Sequence, residues 1–268
     1  MKIRRARASD RRAVRAMLAR VWSDDYILDV FDDWVRDRRG GLWIAVEGGD
    51  LVGIAKLTLL GQLEAWLHGL RVDPGHRRRG IATALVEHRL RRAKRMGARI
   101  VRLDTHAVAV RRISRSHRLR VVGRYRWFTH PARAGVAPRL ARPDETDALW
   151  RLALRGDGLI HLPYSYRAVV RADVARAIRL GLCVVADGRS RPGAMAILAI
   201  DRHGLSVAHL GGSGRPLMSL LRALPAEARR RRRAEVGLAV HATFWRALRS
   251  AGYRAWADET MEIFEGRL

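Results

Sequence analysis

The residues best suited to chemistry are concentrated in one stretch. Glu64 to Val72 (Glu-Ala-Trp-Leu-His-Gly-Leu-Arg-Val) reads as a strand, and Asp73-Pro74-Gly75 breaks it. Arg77-Arg78-Arg79-Gly80-Ile81-Ala82-Thr83 then opens a helix whose apolar face includes Ile81, Leu85 and Val86. A strand–loop–helix with arginine and glycine at the helix start is suited to an anion. The free N–H groups of the first turn and the helix dipole point at bound phosphates. Gly80 lets the backbone approach closely, since a Cβ would intrude. Ala82 keeps the next turn narrow, and the arginines add charge complementary to a pyrophosphate.

The elements that must position this loop follow from periodicity and turn signals. In the first half, strands are expected near 2–6, 42–47, 50–60, 64–72, 99–104 and 119–128, and helices near 9–21, 28–38, 79–96 and 106–117. In the second half, strands are expected near 182–187, 193–201, 204–211, 236–240 and 253–264, and helices near 144–154, 166–180, 214–223 and 241–250. The halves begin alike. Arg4-Arg5-Ala6-Arg7-Ala8-Ser9-Asp10 and Arg139-Leu140-Ala141-Arg142-Pro143-Asp144-Glu145 each lead from a short strand into a helix, which indicates an internal duplication. The Pro-, Gly- and Ala-rich segment 131–138 reads as the linker between domains 1–130 and 139–268. Strands and helices in this order imply a central mixed sheet covered by helices.

Composition sets the surroundings. The net charge of +27 is almost entirely arginine, with lysine only at positions 2, 56 and 94. Asparagine is absent and Gln62 is the single glutamine, which fits a thermophile; a GC-rich genome would raise arginine in the same way. The arginines are spread along the chain with one dense run, Arg229 to Arg233. No RNA-recognition, zinc-finger or KH pattern accompanies them, so contact with nucleic acid is expected to be non-specific, through a basic surface. Cys183 is the only cysteine, which excludes an internal disulfide and a cysteine-based zinc site. It sits in an apolar strand and reads as packing. No apolar run is long enough for a membrane helix, and no apolar stretch follows the basic N-terminus, so a cytoplasmic protein without a signal peptide is expected.

The stretch Leu70-Arg71-Val72-Asp73-Pro74 followed by Arg77-x-x-Gly80-x-Ala82 resembles the pyrophosphate loop of the GNAT superfamily of N-acetyltransferases, over about residues 1–130. The resemblance implies an α/β (α+β) protein of tandem GNAT-like domains, each a mixed, mostly antiparallel central sheet flanked by helices. It implies acetyl-CoA as co-substrate, no metal, and direct attack of a primary amine on the thioester. Strands 4 and 5 would splay at a bulge. Leu70, Arg71 and Val72 would meet the acetyl and pantetheine groups, and Arg77, Arg78, Arg79, Gly80, Ile81, Ala82 and Thr83 the pyrophosphate. A general base would help, because the amine is mostly protonated near neutrality. His68 and Glu64 are the candidates on strand 4. Regular alternation puts both on the face of Leu70.

The chain departs from the superfamily after strand 5. The tyrosine that commonly protonates the leaving thiolate is missing; Ser114 occupies its place, with His117 nearby. Either could replace it, or solvent could. The second half lacks the loop. In its place stands Leu210-Gly211-Gly212-Ser213-Gly214-Arg215-Pro216, a glycine-rich segment before a helix. This half reads as a degenerate GNAT-like domain that has lost cofactor binding.

A finer resemblance, to the histidine N-acetyltransferase family, rests on Asp25-Tyr26-Ile27, Trp34-Val35, Val52-Gly53-Ile54-Ala55 and Gly69-Leu70-Arg71-Val72. It implies a small-molecule acceptor such as a free amino acid, with Trp22, Asp24, Asp25 and Tyr26 on the acceptor side. The alternatives are a protein N-terminal or lysine acetyltransferase, or a non-catalytic CoA- or nucleic-acid-binding protein on the same scaffold. The protein is expected to be a monomer or a homodimer.

Overall fold

The structure is a computed structural model. It describes residues 1–268 except Ser23, Gln62, Ser190, Arg202, His203 and Asp258. The chain runs through β1 (Lys2–Arg5), α1 (Arg11–Val21), α2 (Ile27–Arg36), β2 (Gly41–Glu47), β3 (Asp50–Leu60), β4 (Glu64–Val72), α3 (Ile81–Arg95), β5 (Ile100–Thr105), α4 (Val108–Ser116) and β6 (Arg120–Pro131). It continues through β7 (Arg139–Leu140), α5 (Thr146–Leu154), β8 (Leu159–Leu162), β9 (Ser165–Ala168), α6 (Arg171–Arg179), β10 (Cys183–Asp187), β11 (Pro192–Asp201), β12 (Gly204–Gly212), α7 (Gly214–Arg230), β13 (Glu235–His241), α8 (Trp245–Ser250), β14 (Arg254–Ala255) and β15 (Met261–Arg267).

The chain divides into two compact units, 1–122 with 263–268, and 123–262. In the first, the sheet order is β1-β2-β3-β4-β5-β15. Its pairs from β1 to β4 are antiparallel, and β4–β5 is parallel. Val14, Met17 and Leu18 recur at helical spacing on α1 and are buried. With Ile27, Phe31 and Trp34 of α2 they cover Leu42, Ile44 and Ile54 on one sheet face. On the other face α3 covers Trp43, Ala45 and Ala55 through Ile81 and Leu85, and Ala65, Leu67, Val101 and Leu103 through Ala93. β3 is buried on both faces and therefore reads as a nearly unbroken apolar run.

The second unit repeats the pattern. Its order is β7-β10-β11-β12-β13-β6, with β12–β13 as the parallel pair and the others antiparallel. α7 packs on β10, β11 and β13 through Leu217, Leu220, Leu221 and Leu224. The duplication also shows in the opening turns. Arg4 pairs with Asp10 at 2.7 Å, and Arg139 pairs with Glu145 at 2.7 Å, at the same offset as the sequence repeat. Each carboxylate also accepts from a backbone N–H three residues earlier, Arg7 or Arg142.

The boundaries differ from those read in the sequence. Segment 131–138 was the expected linker, but the division falls at 122/123. The strand expected near 119–128 extends to Pro131 and its residues from 123 onward count with the second unit, beside β13. The strand expected over 253–264 is two pieces, and Ile263–Leu268 completes the first unit beside β5. A strand needs only a pairing edge and a buried face, and local pattern does not say which sheet supplies them. The helix expected over 166–180 begins at Arg171, because Ser165–Ala168 pairs with Leu159–Leu162 in a hairpin.

Candidate functional site

The β4–β5 ladder is short. It pairs Glu64 with Ile100, Ala65 with Val101 and Trp66 with Arg102. Beyond that the two strands part. On the other side of β4, Ile54 pairs with Arg71 and Lys56 with His68, so Gly69 and Leu70 together oppose Ala55. This is a β-bulge with glycine in the left-handed region, at φ 61°. Only glycine fits there: a Cβ would stand 2.7 Å from the Trp34 ring. The bulge corrects one expectation. Leu67 packs toward α3, His68 toward Trp34, and Leu70 toward α3 again with Ile81 and Leu85. His68 and Leu70 therefore leave opposite faces, because the extra residue inverts the alternation.

A recess of about 830 Å³ opens where the strands part. It is bounded by Leu70, Arg71 and Val72 at the end of β4, by the loop and first turn of α3, and by Ala107 to Val110, Arg112 and Ile113 of α4. Arg77, Arg78, Gly80, Ile81, Ala82 and Thr83 all line it. Gly80 has φ 79°, and a Cβ built there meets nothing within 4 Å. The glycine thus serves both the turn and the space in front of it. Ala84 donates to the Gly80 carbonyl, while the N–H groups of Ile81, Ala82 and Thr83 have no acceptor among the described residues. These are the orphan donors of a helix start, and here they face open space.

Asp73 holds the loop. It is buried and accepts from Gly75 N at 2.9 Å, Arg20 Nε at 2.7 Å and His76 at 3.2 Å. Burial alone would raise its pKa, but these three donors hold it below the usual carboxylate value. Arg79 departs from the expected set. It pairs with Glu47 of β2 at 2.8 Å and does not line the recess, because a carboxylate on the neighbouring strand draws it away.

The expected proton-transfer residues are distributed as follows. His68 is enclosed. Its Nε2 lies 2.9 Å from Thr58 Oγ1, and its ring packs on Trp34 at 4.7 Å. Burial, with Lys56 and Arg89 beside it, pushes its pKa well below 6.5, so it is neutral at pH 7. Glu64 accepts from Arg102, which also donates to Glu265 of β15 at 2.7 Å; its carboxylate is tied into the sheet. Ser114 is buried, and its hydroxyl donates to the Val110 carbonyl at 2.8 Å. His117 caps the end of α4, with Nε2 at 4.0 Å from Glu87. Neither Ser114 nor His117 lines the recess, to which α4 presents Ala107, Val108, Ala109, Val110, Arg112 and Ile113.

Sequence reasoning missed Asp104. It lies on β5, two residues beyond the last ladder position, and leaves the sheet opposite Leu103, which packs toward α3. Among the described residues no arginine or lysine pairs with it. Burial pushes its pKa up to about 6; its own backbone N–H and His106 act weakly in the other direction. Nothing in the local pattern marks this, since one acidic residue at a strand end is ordinary. The signal is the loss of pairing on one side of β5.

On the expected acceptor side, Trp22 and Asp24 are exposed. Asp25 is buried; it accepts from Arg71 Nε at 2.6 Å and from Ile27 N at 3.1 Å. Arg71 also lies over the Tyr26 ring, 5.9 Å from its centroid, and Tyr26 meets Trp34 edge-on at 5.9 Å. Asp25 thus fixes Arg71 and opens α2 rather than standing free for a ligand amine.

The family profile described as Acetyltransferase (GNAT) family matches residues 9–113. Residues 9–113 form a GNAT acetyltransferase domain. This segment contains β4, the loop, α3, β5 and most of α4, the elements that bound the recess. The whole chain has the tandem GNAT fold. It is similar to a putative acetyltransferase from Thermoplasma acidophilum, at 15% identity and TM-score 0.65, with 100% of each chain covered. It is also similar to a GCN5-related N-acetyltransferase from Sphaerobacter thermophilus, at 16% identity and TM-score 0.69, covering 99% of this chain and 95% of that one. A tandem GNAT protein from the clavulanic acid biosynthesis pathway matches at 14% identity and TM-score 0.57, covering 99% and 98%. No curated protein sequence matches the chain.

Acetyl-CoA is the acetyl donor general to this family. No group of three or more His, Cys, Asp or Glu among the described residues could hold a metal ion. No helix among them is long and apolar enough to cross a membrane. In the second unit, Gly211 and Gly212 belong to β12, so the glycine-rich segment is the end of a strand rather than a loop.

Proposed function

We propose that the protein transfers an acetyl group from acetyl-CoA to the primary amine of a small molecule, by direct attack in the first unit. The observation that carries this reading is the recess itself, with three N–H donors of α3 lacking acceptors beside a glycine whose Cβ position is empty. A pyrophosphate at those donors would be held by charge-assisted hydrogen bonds and the helix dipole. Arg77 and Arg78 add positive charge. Backbone groups at Leu70 and Val72 would meet the acetyl and pantetheine groups where β4 and β5 part.

In this reading the amine nitrogen attacks the thioester carbon and the C–S bond breaks. Asp104 accepts the amine proton, and the thiolate takes one from solvent. A carboxylate with a pKa of about 6 is ionised at pH 7 yet basic enough to share a proton. His68 stays neutral and shapes the same face. Trp22 and Asp24 are the exposed groups on the acceptor side; Asp25 acts there through Arg71 and Tyr26. The net charge of +27 disfavours a basic protein substrate, which supports a small acceptor such as a free amino acid.

The test is calorimetry with acetyl-CoA, followed by CoA release with a panel of free amino acids, polyamines, and peptides with free N-termini or lysines. Micromolar acetyl-CoA affinity and turnover with a small amine are expected. Turnover with peptides alone would move the assignment to a protein acetyltransferase, and binding without any turnover to a CoA-binding module.

A further inference from the structure

Among the described residues three lysine and arginine side chains are buried, all in the first unit: Lys56, Arg89 and Arg102. Lys56 pairs with Asp37, and Arg102 with Glu64 and Glu265. Arg89, on α3, is the exception. It is fully buried, and among the described residues no carboxylate pairs with it. Burial pushes its pKa down to about 9, which leaves it charged at pH 7. An unpaired buried charge costs stability, and an apolar side chain of similar volume would fill the same space without that penalty. What an apolar side chain cannot do is donate.

Arg89 donates only to backbone carbonyls. Its Nε bonds Leu85 of its own helix at 3.1 Å, and its Nη1 bonds both Lys56 on β3, at 3.1 Å, and His68 on β4, at 3.2 Å. Lys56 and His68 face each other on the rung next to the bulge, where Gly69 and Leu70 together oppose Ala55. A bulge disrupts the ladder locally, and backbone carbonyls beside it still need donors. One guanidinium nitrogen donates to both strands at this point, with the added strength of a charged donor. The bond to Leu85 holds the same side chain against α3, so the bulge is tied to that helix. The helix in turn sits directly on β3: a Cβ added at Gly53 would stand 3.0 Å from Leu85 Cδ1 and 3.1 Å from Ile81 Cγ2. Its first turn carries the open N–H groups of Ile81, Ala82 and Thr83, and Arg89 follows about two turns later.

We propose that Arg89 is a positioning residue for acetyl transfer: it locks the β3–β4 bulge to α3 and so sets the backbone of Leu70 and Val72 at a fixed distance from the loop. This role rests on the placement of the acetyl and pantetheine groups at Leu70 and Val72 and of the pyrophosphate at the loop. Arg89 is not among the residues that line the recess, so it acts through the backbone it holds. Without it the loop keeps its donors, but loop and bulge no longer fit one ligand together.

The test is calorimetry on the full chain with two probes: acetyl-CoA, and the phosphoadenosine diphosphate half of coenzyme A, which lacks pantetheine. The wild type is expected to bind acetyl-CoA more tightly than the nucleotide half. Arg89→Met fills the same space without donors and leaves no carboxylate unpaired. It should weaken acetyl-CoA by about tenfold or more and the nucleotide half by no more than about twofold. Arg89→Lys keeps the charge without the fork and should show the same selective loss, by about threefold. Ala93→Gly loosens the same helix but removes none of these hydrogen bonds, and should leave both probes within about twofold. Thermal melts establish which variants are folded. Equal weakening of both probes by the Arg89 variants, or acetyl-CoA affinity unchanged in Arg89→Met, would overturn the proposal and leave the cofactor placement standing. Failure of both Arg89 variants to fold would overturn it too, by making the residue purely structural. A wild type that gains nothing from the acetylated pantetheine arm would instead remove the placement at Leu70 and Val72, and the proposal with it.

Discussion

His68 and Asp104 each stand two residues past the Trp66–Arg102 pair, the last rung of the β4–β5 ladder, and both leave the sheet on the face opposite Leu67 and Leu103. The strands part beyond that rung, and neither residue is among those that line the recess, which is bounded further along β4 by Leu70, Arg71 and Val72. Their titrations are displaced in different ways. Burial pushes the Asp104 carboxyl up to about 6, while burial together with Lys56 and Arg89 pushes His68 well below 6.5. At pH 7 the pair consists of a carboxylate and a neutral imidazole, and only Asp104 titrates near pH 6.

Asp104→Asn is expected to lower kcat/KM by about 100-fold and to remove the acid limb of its pH profile, whose apparent pKa is expected near 6. Its effect on stability should run the other way. Asp104 binds its proton more tightly when folded, so the wild type loses stability as pH rises from about 4 to 6. The asparagine variant escapes this loss and should be more stable at pH 7 by about 2 kcal/mol. Denaturant unfolding at pH 4.5 and 7 reads the stability change. A variant that is both less active and less stable at pH 7 would contradict the assignment.

His68→Gln separates the two candidates for the base. A histidine held neutral in the fold contributes stability that is present above pH 6.5 and lost as pH falls below it. The variant should flatten that acid loss in unfolding experiments. Its kcat/KM should fall by no more than about tenfold and keep the limb near pH 6. Disappearance of that limb would make His68 the base.

Gly80→Trp is expected to abolish measurable acetyl-CoA binding while the protein stays folded. The Cβ enters open space, so the indole meets no core residue and fills the recess. A side chain at φ 79° costs about 1–2 kcal/mol, which for a chain of this size lowers Tm by several degrees. Calorimetry and a thermal melt check both halves of the statement. Unchanged affinity would remove the loop from the cofactor site.

Phe264→Ala tests the C-terminal strand. Phe264 is fully buried with Leu57, Leu67, Val101 and Leu103 of the first unit. Truncation should cost about 3–5 kcal/mol and raise KM for acetyl-CoA, because β15 lies beside β5 and Glu265 steadies Arg102. Urea unfolding reads the first effect and steady-state kinetics the second. Equal stability in variant and wild type would show that the strand is dispensable to this unit.

The sequence by itself determined the local features. Arg77, Gly80 and Ala82 after a strand marked the loop, the Arg4–Asp10 and Arg139–Glu145 openings marked the duplication, and period-two and helical patterns marked most elements. All of these depend on residues a few positions apart, where backbone geometry fixes what a side chain can reach. Tertiary structure decided the rest. A single extra residue at Gly69 turned Leu70 away from the face of His68, and alternation cannot record a bulge before its partner strand is known. Asp25 was legible as an acid, but its engagement with Arg71 appears only when α2 lies over β4. Asp104 acquired its raised pKa from burial in the folded sheet, and Arg102 found Glu265 across 163 positions of chain. Ionisation and ion pairing depend on what surrounds a group in space, and chain order carries that only where the neighbours are also near in sequence.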